Sequence, residues 1–273
     1  MVKLLFKELV KEYFHNRDAR VQKLQKWIND ANEAKDKLEK RANQYYKAEE
    51  LITFYTFAPL LQKNDLKLVN DILKLAQINE QAIGNVVLSL EKPIFSPKGY
   101  LSWLREEVLK INAVSYMREQ AIIHLELNKT LETATHVDVE IKTDNLVIFV
   151  EMKFTSDISI NTTFNPYRNQ LARLIDVGIE IAKEEKKKII VLLASPSEFF
   201  QNKSRFYYYK IQDYSNFSEI KKDIVWRKQE EIEKYVMAVK WIPLEELIKT
   251  LYRDFNHDDK EEAMAFFKER NLI

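Results

Sequence analysis

Two short β-prone runs hold the residues best suited to chemistry: THVDVEIK over 135–142 and LVIFVEMKF over 146–154. A two-residue turn at Asp144-Asn145 suits the positive φ that tight hairpins need. It pairs Thr143 with Leu146, so that partner numbers sum to 289 and Asp138 falls opposite Glu151. Strand alternation then puts His136, Asp138 and Glu140 on one face with Phe149, Glu151 and Lys153. Directly opposed Cβ atoms lie about 5 Å apart, and like charges at that separation repel. Two facing carboxylates call for a cation, and oxygen ligands suit Mg²⁺ or Mn²⁺ better than zinc. Lys153, two residues beyond Glu151, is near enough to reach a metal-bound phosphate or water. A solvent-exposed strand face would carry the same Asp, Glu and Lys, and Glu140 and Lys142 fit that description. Val147 and Phe149 do not, because they imply cover over the same face.

Asp138, twelve intervening residues and then Glu151-Met152-Lys153 resemble the core of the PD-(D/E)xK nuclease superfamily. In the helix expected next, Gln170-x-x-Arg173 resembles the QxxR motif of one large branch, and helical spacing makes the two residues neighbours on one face. The similarity covers about residues 97 to 195. Val137 stands where the family has a proline, a tolerated departure. The family also uses a glutamate from a preceding helix. In GYLSWLREEVLKI the apolar stripe is Leu101, Leu104, Val108 and Ile111, which places Glu107 at its edge and Glu106 nearly opposite. Glu107 is therefore the better candidate, with Glu106 and Glu119 as rivals. Each is equally explained as a solvated helix acid.

The resemblance implies a restriction-endonuclease-like mixed sheet flanked by helices, and metal-dependent hydrolysis of a phosphodiester. Asp138, Glu151 and the Met152 carbonyl would hold Mg²⁺ or Mn²⁺, and Lys153 would orient water or offset transition-state charge. Gln170 would position water or a lysine partner, and Arg173 would bind a phosphate oxygen through its guanidinium fork. The implied partner is nucleic acid, DNA before RNA, with a homodimer left open. A binding or assembly protein that keeps the fold without turnover is the alternative. The intact Asp138, Glu151, Lys153, Gln170 and Arg173 set favours the enzyme.

The elements that must position these residues read as follows. Residues 1–92 look all-helical and free of metal ligands, with Pro59 and Gly84 the only breakers. MVKLLFKELVKEYF is an amphipathic helix. Val21, Leu24, Ile28, Ala31, Leu38 and Ala42 form a stripe over Arg17–Glu50, Leu51–Leu61 is apolar enough to be buried, and shorter helices follow near 64–77 and 79–91. The segment from Lys92 to Pro97 marks a boundary with an α/β domain over 93–273, and Ser96-Pro97 suits a helix start. One or two helices over 98–127 precede the hairpin. A helix from Asn165 to about Glu185, IIVLLASP as a strand buried on both faces, a strand over 236–242 and two amphipathic helices complete the chain.

Composition narrows the chemistry further. In 273 residues there is no cysteine, so thiol nucleophiles and Cys-based metal sites are excluded. Gly84, Gly99 and Gly178 are isolated, which removes P-loops and GxGxxG turns. His15, His124, His136 and His257 never fall at HExxH spacing. Lys+Arg 43 against Asp+Glu 42 neither demands nor forbids nucleic acid. The basic run Lys186–Lys188 reads as a helix terminus, and Lys203–Lys210 interleaves bases with aromatics as stacking platforms do. No apolar run is long enough to span a bilayer, and without a targeting signal a cytoplasmic location is expected.

Overall fold

The computed structural model describes residues 3–9, 17–34, 45, 47–110 and 112–273. Much of the helix expected over 1–14 lies outside them, as do His15, Ile111 and the stripe positions Leu38 and Ala42.

Helix α1 (Arg17–Glu33) buries Leu24 and Ile28. Helix α2 (Glu49–Lys63) buries every residue from Leu51 to Leu61, and α3 (Leu66–Leu75) starts where Asp65 accepts the Lys67 N–H. Pro59 stands inside α2 and has no N–H to give to the Tyr55 carbonyl one turn back. The Tyr252 hydroxyl supplies the missing bond, donating to Tyr55 O at 2.6 Å.

The all-helical expectation for residues 1–92 fails at its end. Where a helix was expected over 79–91, strand β1 (Val87–Ile94) joins the sheet as its edge. Helices α4 (Lys98–Leu109) and α5 (Ser115–Glu126) lead to the hairpin β2 (Thr135–Lys142) and β3 (Leu146–Met152). Helix α6 (Gln170–Glu185) and β4 (Lys188–Ser195) follow. After them come α7 (Ser197–Gln201), α8 (Phe206–Asp213), α9 (Phe217–Asp223) and α10 (Gln229–Tyr235). Strand β5 (Val236–Pro243), α11 (Leu244–Tyr252) and α12 (Lys260–Lys268) close the chain.

The five strands stand in the order β1-β2-β3-β4-β5, with β2 antiparallel to both neighbours and β3, β4 and β5 mutually parallel. This is an open mixed sheet in an α/β protein. Alternation sorts β3 and β4 into two cores. Ile148, Val150, Leu192 and Ala194 pack with residues of α1, α2, α3, α11 and α12, whereas Val147, Phe149, Val191 and Leu193 pack with α6, α8, α9 and α10. β4 is buried from its second residue onward, as its unbroken apolar run predicts. Gly178 lets α6 approach closely: a Cβ there would lie 2.7 Å from Ile189 Cγ1.

Three local expectations shift. The hairpin keeps the 289 register, pairing Val139 with Val150 and Lys142 with Val147, but its turn uses no left-handed residue. Side chains and a docked segment hold it instead: Asp144 N–H donates to Ile83 O, and Asn145 Oδ1 accepts the Ile83 N–H. Helix α6 begins at Gln170, not Asn165, because the Asn169 side chain takes the Ala172 N–H as its cap. Ser96 is no cap either, since its hydroxyl donates to Glu132.

Candidate active site

The ladder between β2 and β3 stops at the Val139–Val150 pair. One step further the Asp138 side chain intervenes, its Oδ2 accepting the Met152 N–H at 2.7 Å. The strands part where the register sets Asp138 against Glu151. On the other side of β2, the ladder with β1 also skips the Glu91–Asp138 position, and Glu91 takes φ +51°, a left-handed conformation that a non-glycine adopts only under constraint.

Glu151 is wholly buried. Its Oε1 accepts from Lys153 Nζ at 2.7 Å and from Gln170 Nε2 at 2.5 Å, while its Oε2 is enclosed without a partner. Gln170 is fixed in turn, its Oε1 accepting the Ser159 N–H and its own N–H donating to Ser159 O. Its observed role is to hold a carboxylate.

Helix α2 brings two glutamates from the first 92 residues to the same region. Glu49 Oε1 accepts the Phe154 N–H at 2.9 Å and the Ser156 hydroxyl at 2.7 Å, and its Oε2 lies 3.7 Å from Lys153 Nζ. Glu50 bonds Arg20 and Lys23 through Oε1 and keeps a buried, unpartnered Oε2. Both glutamates occupy the first helical turn, where the macrodipole favours anions. Glu49, Glu50, Glu91 and Asp138, with Trp27 and Lys47, line an open cavity of about 410 Å³.

Crowded burial of carboxylates has electrostatic consequences. Burial and then Glu151 push Asp138 well above the usual range, and burial likewise raises Glu151 against the pull of Lys153. Burial, Asp138 and Glu50 push Glu91 up to about 8. Burial alone would lower Lys153, but Glu151, Asp138 and Glu49 together outweigh it and raise the amine. Lys153 is therefore a fixed positive charge, unsuited to proton abstraction in the metal-free protein.

The remaining candidates lie elsewhere. Glu107, on α4, is half-buried and bonded to Lys110 at 2.5 Å, and no contact among the described residues joins it to Asp138, Glu151 or Lys153. Glu106 and Glu119 are exposed. Arg173 turns toward Glu132, its Nε 3.8 Å from Oε1, a carboxylate already held by Arg168, Ser96 and Tyr100. Glu140, expected on an exposed face, is buried against Lys92 at 2.6 Å. The Lys203–Lys210 run leads into α8, where Tyr207 is buried and Tyr209 exposed.

The donors suit a hard divalent ion: the orphaned Glu151 oxygen, the Asp138 carboxylate and carboxylates from α2 are all oxygen ligands. Among the described residues no three acidic or histidine side chains are already gathered as a metal-binding group. Lys153 and Arg20 hold those carboxylates instead.

No family model, curated protein or solved structure matches the chain.

The acids at 49, 50 and 91 were recoverable in part from sequence. Ala48-Glu49-Glu50 directly precedes the long apolar run of α2, a pattern that marks a helix start with acids in its first turn. Nothing in the sequence indicates that this turn meets the exit of β3. Among the described residues no helix is long and apolar enough to cross a membrane.

Proposed function

We propose that this chain is a metal-dependent nuclease of the PD-(D/E)xK type, with a restriction-endonuclease-like fold and DNA as the first substrate class. One observation carries the reading. A buried Glu151 presents one oxygen to Lys153 and Gln170 and leaves the other unpartnered, and Asp138 is close enough to feel its charge. A merely structural ion pair would gain from satisfying both oxygens, because an enclosed lone carboxylate oxygen costs free energy. Asp138 and Glu151, with the Met152 carbonyl at the end of β3, are the residues that would hold Mg²⁺ or Mn²⁺. A bound divalent ion supplies Lewis acidity at a phosphoryl oxygen and a water of lowered pKa.

The protein's own side chains do the rest. Gln170 fixes the Glu151 carboxylate in one rotamer. Lys153 holds a positive charge next to the metal ligands, where charge develops on the phosphoryl oxygens as the bond to the attacking water forms. Glu49, tethered to the Phe154 amide and the Ser156 hydroxyl, fills the position that the family gives to a helix glutamate and displaces Glu107 from that role. Arg173 is kept as a phosphate ligand only if substrate draws it from Glu132.

The test is incubation with supercoiled DNA, single-stranded DNA and RNA in Mg²⁺ or Mn²⁺ against EDTA, with Asp138→Ala alongside. Cleavage that needs the metal and is lost in D138A is expected. A second reading draws on the Lys153–Glu151 ion pair and on the absence of a gathered acid group among the described residues. It holds that the protein binds nucleic acid without cutting it. Binding in EDTA with no metal-dependent cleavage of any substrate would favour it.

A further inference from the structure

Helix α1 lends Trp27 to the wall of the acid cavity and, about two turns earlier, sets Arg20 against two of the acids that line it. Arg20 Nη1 lies 2.7 Å from Glu50 Oε1 and Nη2 lies 3.2 Å from Glu91 Oε2, so the guanidinium bridges α2 and β1 through two acids of the cavity wall. The Arg20 side chain is 18% exposed, and Asp138 is among the carboxylates whose charge it feels. Its helix is anchored independently: Leu24 and Ile28, one and two turns further on, are buried in the main core. Arg20 can therefore swing while α1 stays in place.

We propose that Arg20 is the counter-cation of the metal-free site and competes with the divalent ion. The role rests on the metal-site reading above. The cavity gathers Glu49, Glu50, Glu91 and Asp138 around one opening. Carboxylates so close repel unless a cation lies among them or some of them keep a proton. Lys153 serves the Glu151 side, Arg20 joins Lys23 on Glu50, and Arg20 alone of the two reaches on to Glu91. A divalent ion at Asp138 and Glu151 adds positive charge near the guanidinium. Each cation then weakens the other's hold, and linkage makes that penalty equal in both directions. The left-handed backbone at Glu91 fits this account, because it is held where its carboxylate meets Arg20. The consequence is a site whose metal affinity is restrained until Arg20 finds another anion.

The experiment measures Mn²⁺ binding by calorimetry and by the loss of free-ion EPR signal, in the absence of nucleic acid. Wild type, Arg20→Gln and Arg20→Lys are compared, with circular dichroism confirming each fold. R20Q is expected to bind Mn²⁺ about tenfold more tightly, the middle of the usual coupling range, and R20K to fall between the two. In wild type, ¹⁵N NMR of the Arg20 guanidinium, assigned with R20K, is expected to shift and sharpen as Mg²⁺ is added. That readout does not depend on R20Q folding. Equal Mn²⁺ affinity in all three proteins with an unmoved Arg20 resonance overturns the competition while leaving the metal site standing. Weaker binding in R20Q overturns it too and makes Arg20 a support of the site. If wild type and both variants bind no Mn²⁺, the metal-site reading fails and this role goes with it.

Discussion

Removing the Lys153 amine leaves Glu151 buried with Gln170 as its remaining donor among the described residues, so the substitution acts on stability as well as on chemistry. Breaking one partner of a buried ion pair typically costs about 3–5 kcal/mol. Lys153→Ala is therefore expected to lower the urea midpoint of the metal-free protein sharply. Mg²⁺, binding only the native state, should restore more stability to K153A than it adds to wild type. Turnover should fall by at least about 10²-fold even at saturating metal, as for loss of a preorganised transition-state charge. A variant as active as wild type would remove Lys153 from the mechanism. Glu91 gives a second residue-scale expectation. Its carboxyl, near 4.5 when unfolded and about 8 when folded, is protonated in the native chain and ionised in the unfolded chain between those values. The unfolded state then binds fewer protons, so stability is greatest below the window and falls as pH rises through it. Glu91→Gln should flatten the melting temperature of the metal-free protein between about pH 4.5 and 8. Asp138 and Glu151, shifted the same way, retain part of the slope. An unchanged slope in E91Q would contradict that assignment.

At the scale of elements, the hairpin was legible because its information is local: a turn and alternating faces fix the 289 register, and pairing from Val139–Val150 to Lys142–Val147 follows it. β4 was legible for a similar reason, its apolar run needing cover on both faces. β1 was not. Leu88 and Leu90 alternate with Ser89 and Glu91 as strand residues do, but the scarcity of glycine and proline favours helix, and the partner strand lies some fifty residues away. The helix glutamate depends on the same kind of distant information. Glu107 is favoured by its place at the edge of an apolar stripe, a local feature, whereas Glu49 of α2 comes to the exit of β3 through a tertiary contact with Phe154 and Ser156. That contact depends on a helix with an internal proline. Tyr252→Phe removes the hydroxyl that satisfies Tyr55 O, and an enclosed carbonyl left without a donor costs about 1–3 kcal/mol. Denaturant unfolding of Y252F should show a loss of that size. A loss below about 0.5 kcal/mol would mean that another donor, or water, reaches the carbonyl.

The sequence boundary at residue 92 also makes a claim about the whole molecule, and the core argues against treating its two sides as independent. Leu24, Ile28 and the buried face of α2 share one apolar cluster with Val139, Ile141 and Val150 of the hairpin and with Leu247 and Leu251 of α11. A chain starting at residue 93 would lose nearly all of β1 and expose the hairpin residues that carry Asp138 and Glu151. Burial of that much apolar surface is the main driving force for folding. The fragment 93–273 is therefore expected to be unfolded or aggregated, with no cooperative thermal transition. In the full chain, Trp27 on α1 packs against one of the two main cores and Trp241 on β5 against the other. Urea titrations of Trp27→Phe and Trp241→Phe, followed by fluorescence and by far-ultraviolet circular dichroism, should give coincident curves within each protein, since a shared core unfolds as one unit. If the Trp27 signal disappears at distinctly lower urea than the helical signal, α1 detaches first. The acid cavity would then lose Arg20 before the sheet that holds Asp138 and Glu151 comes apart.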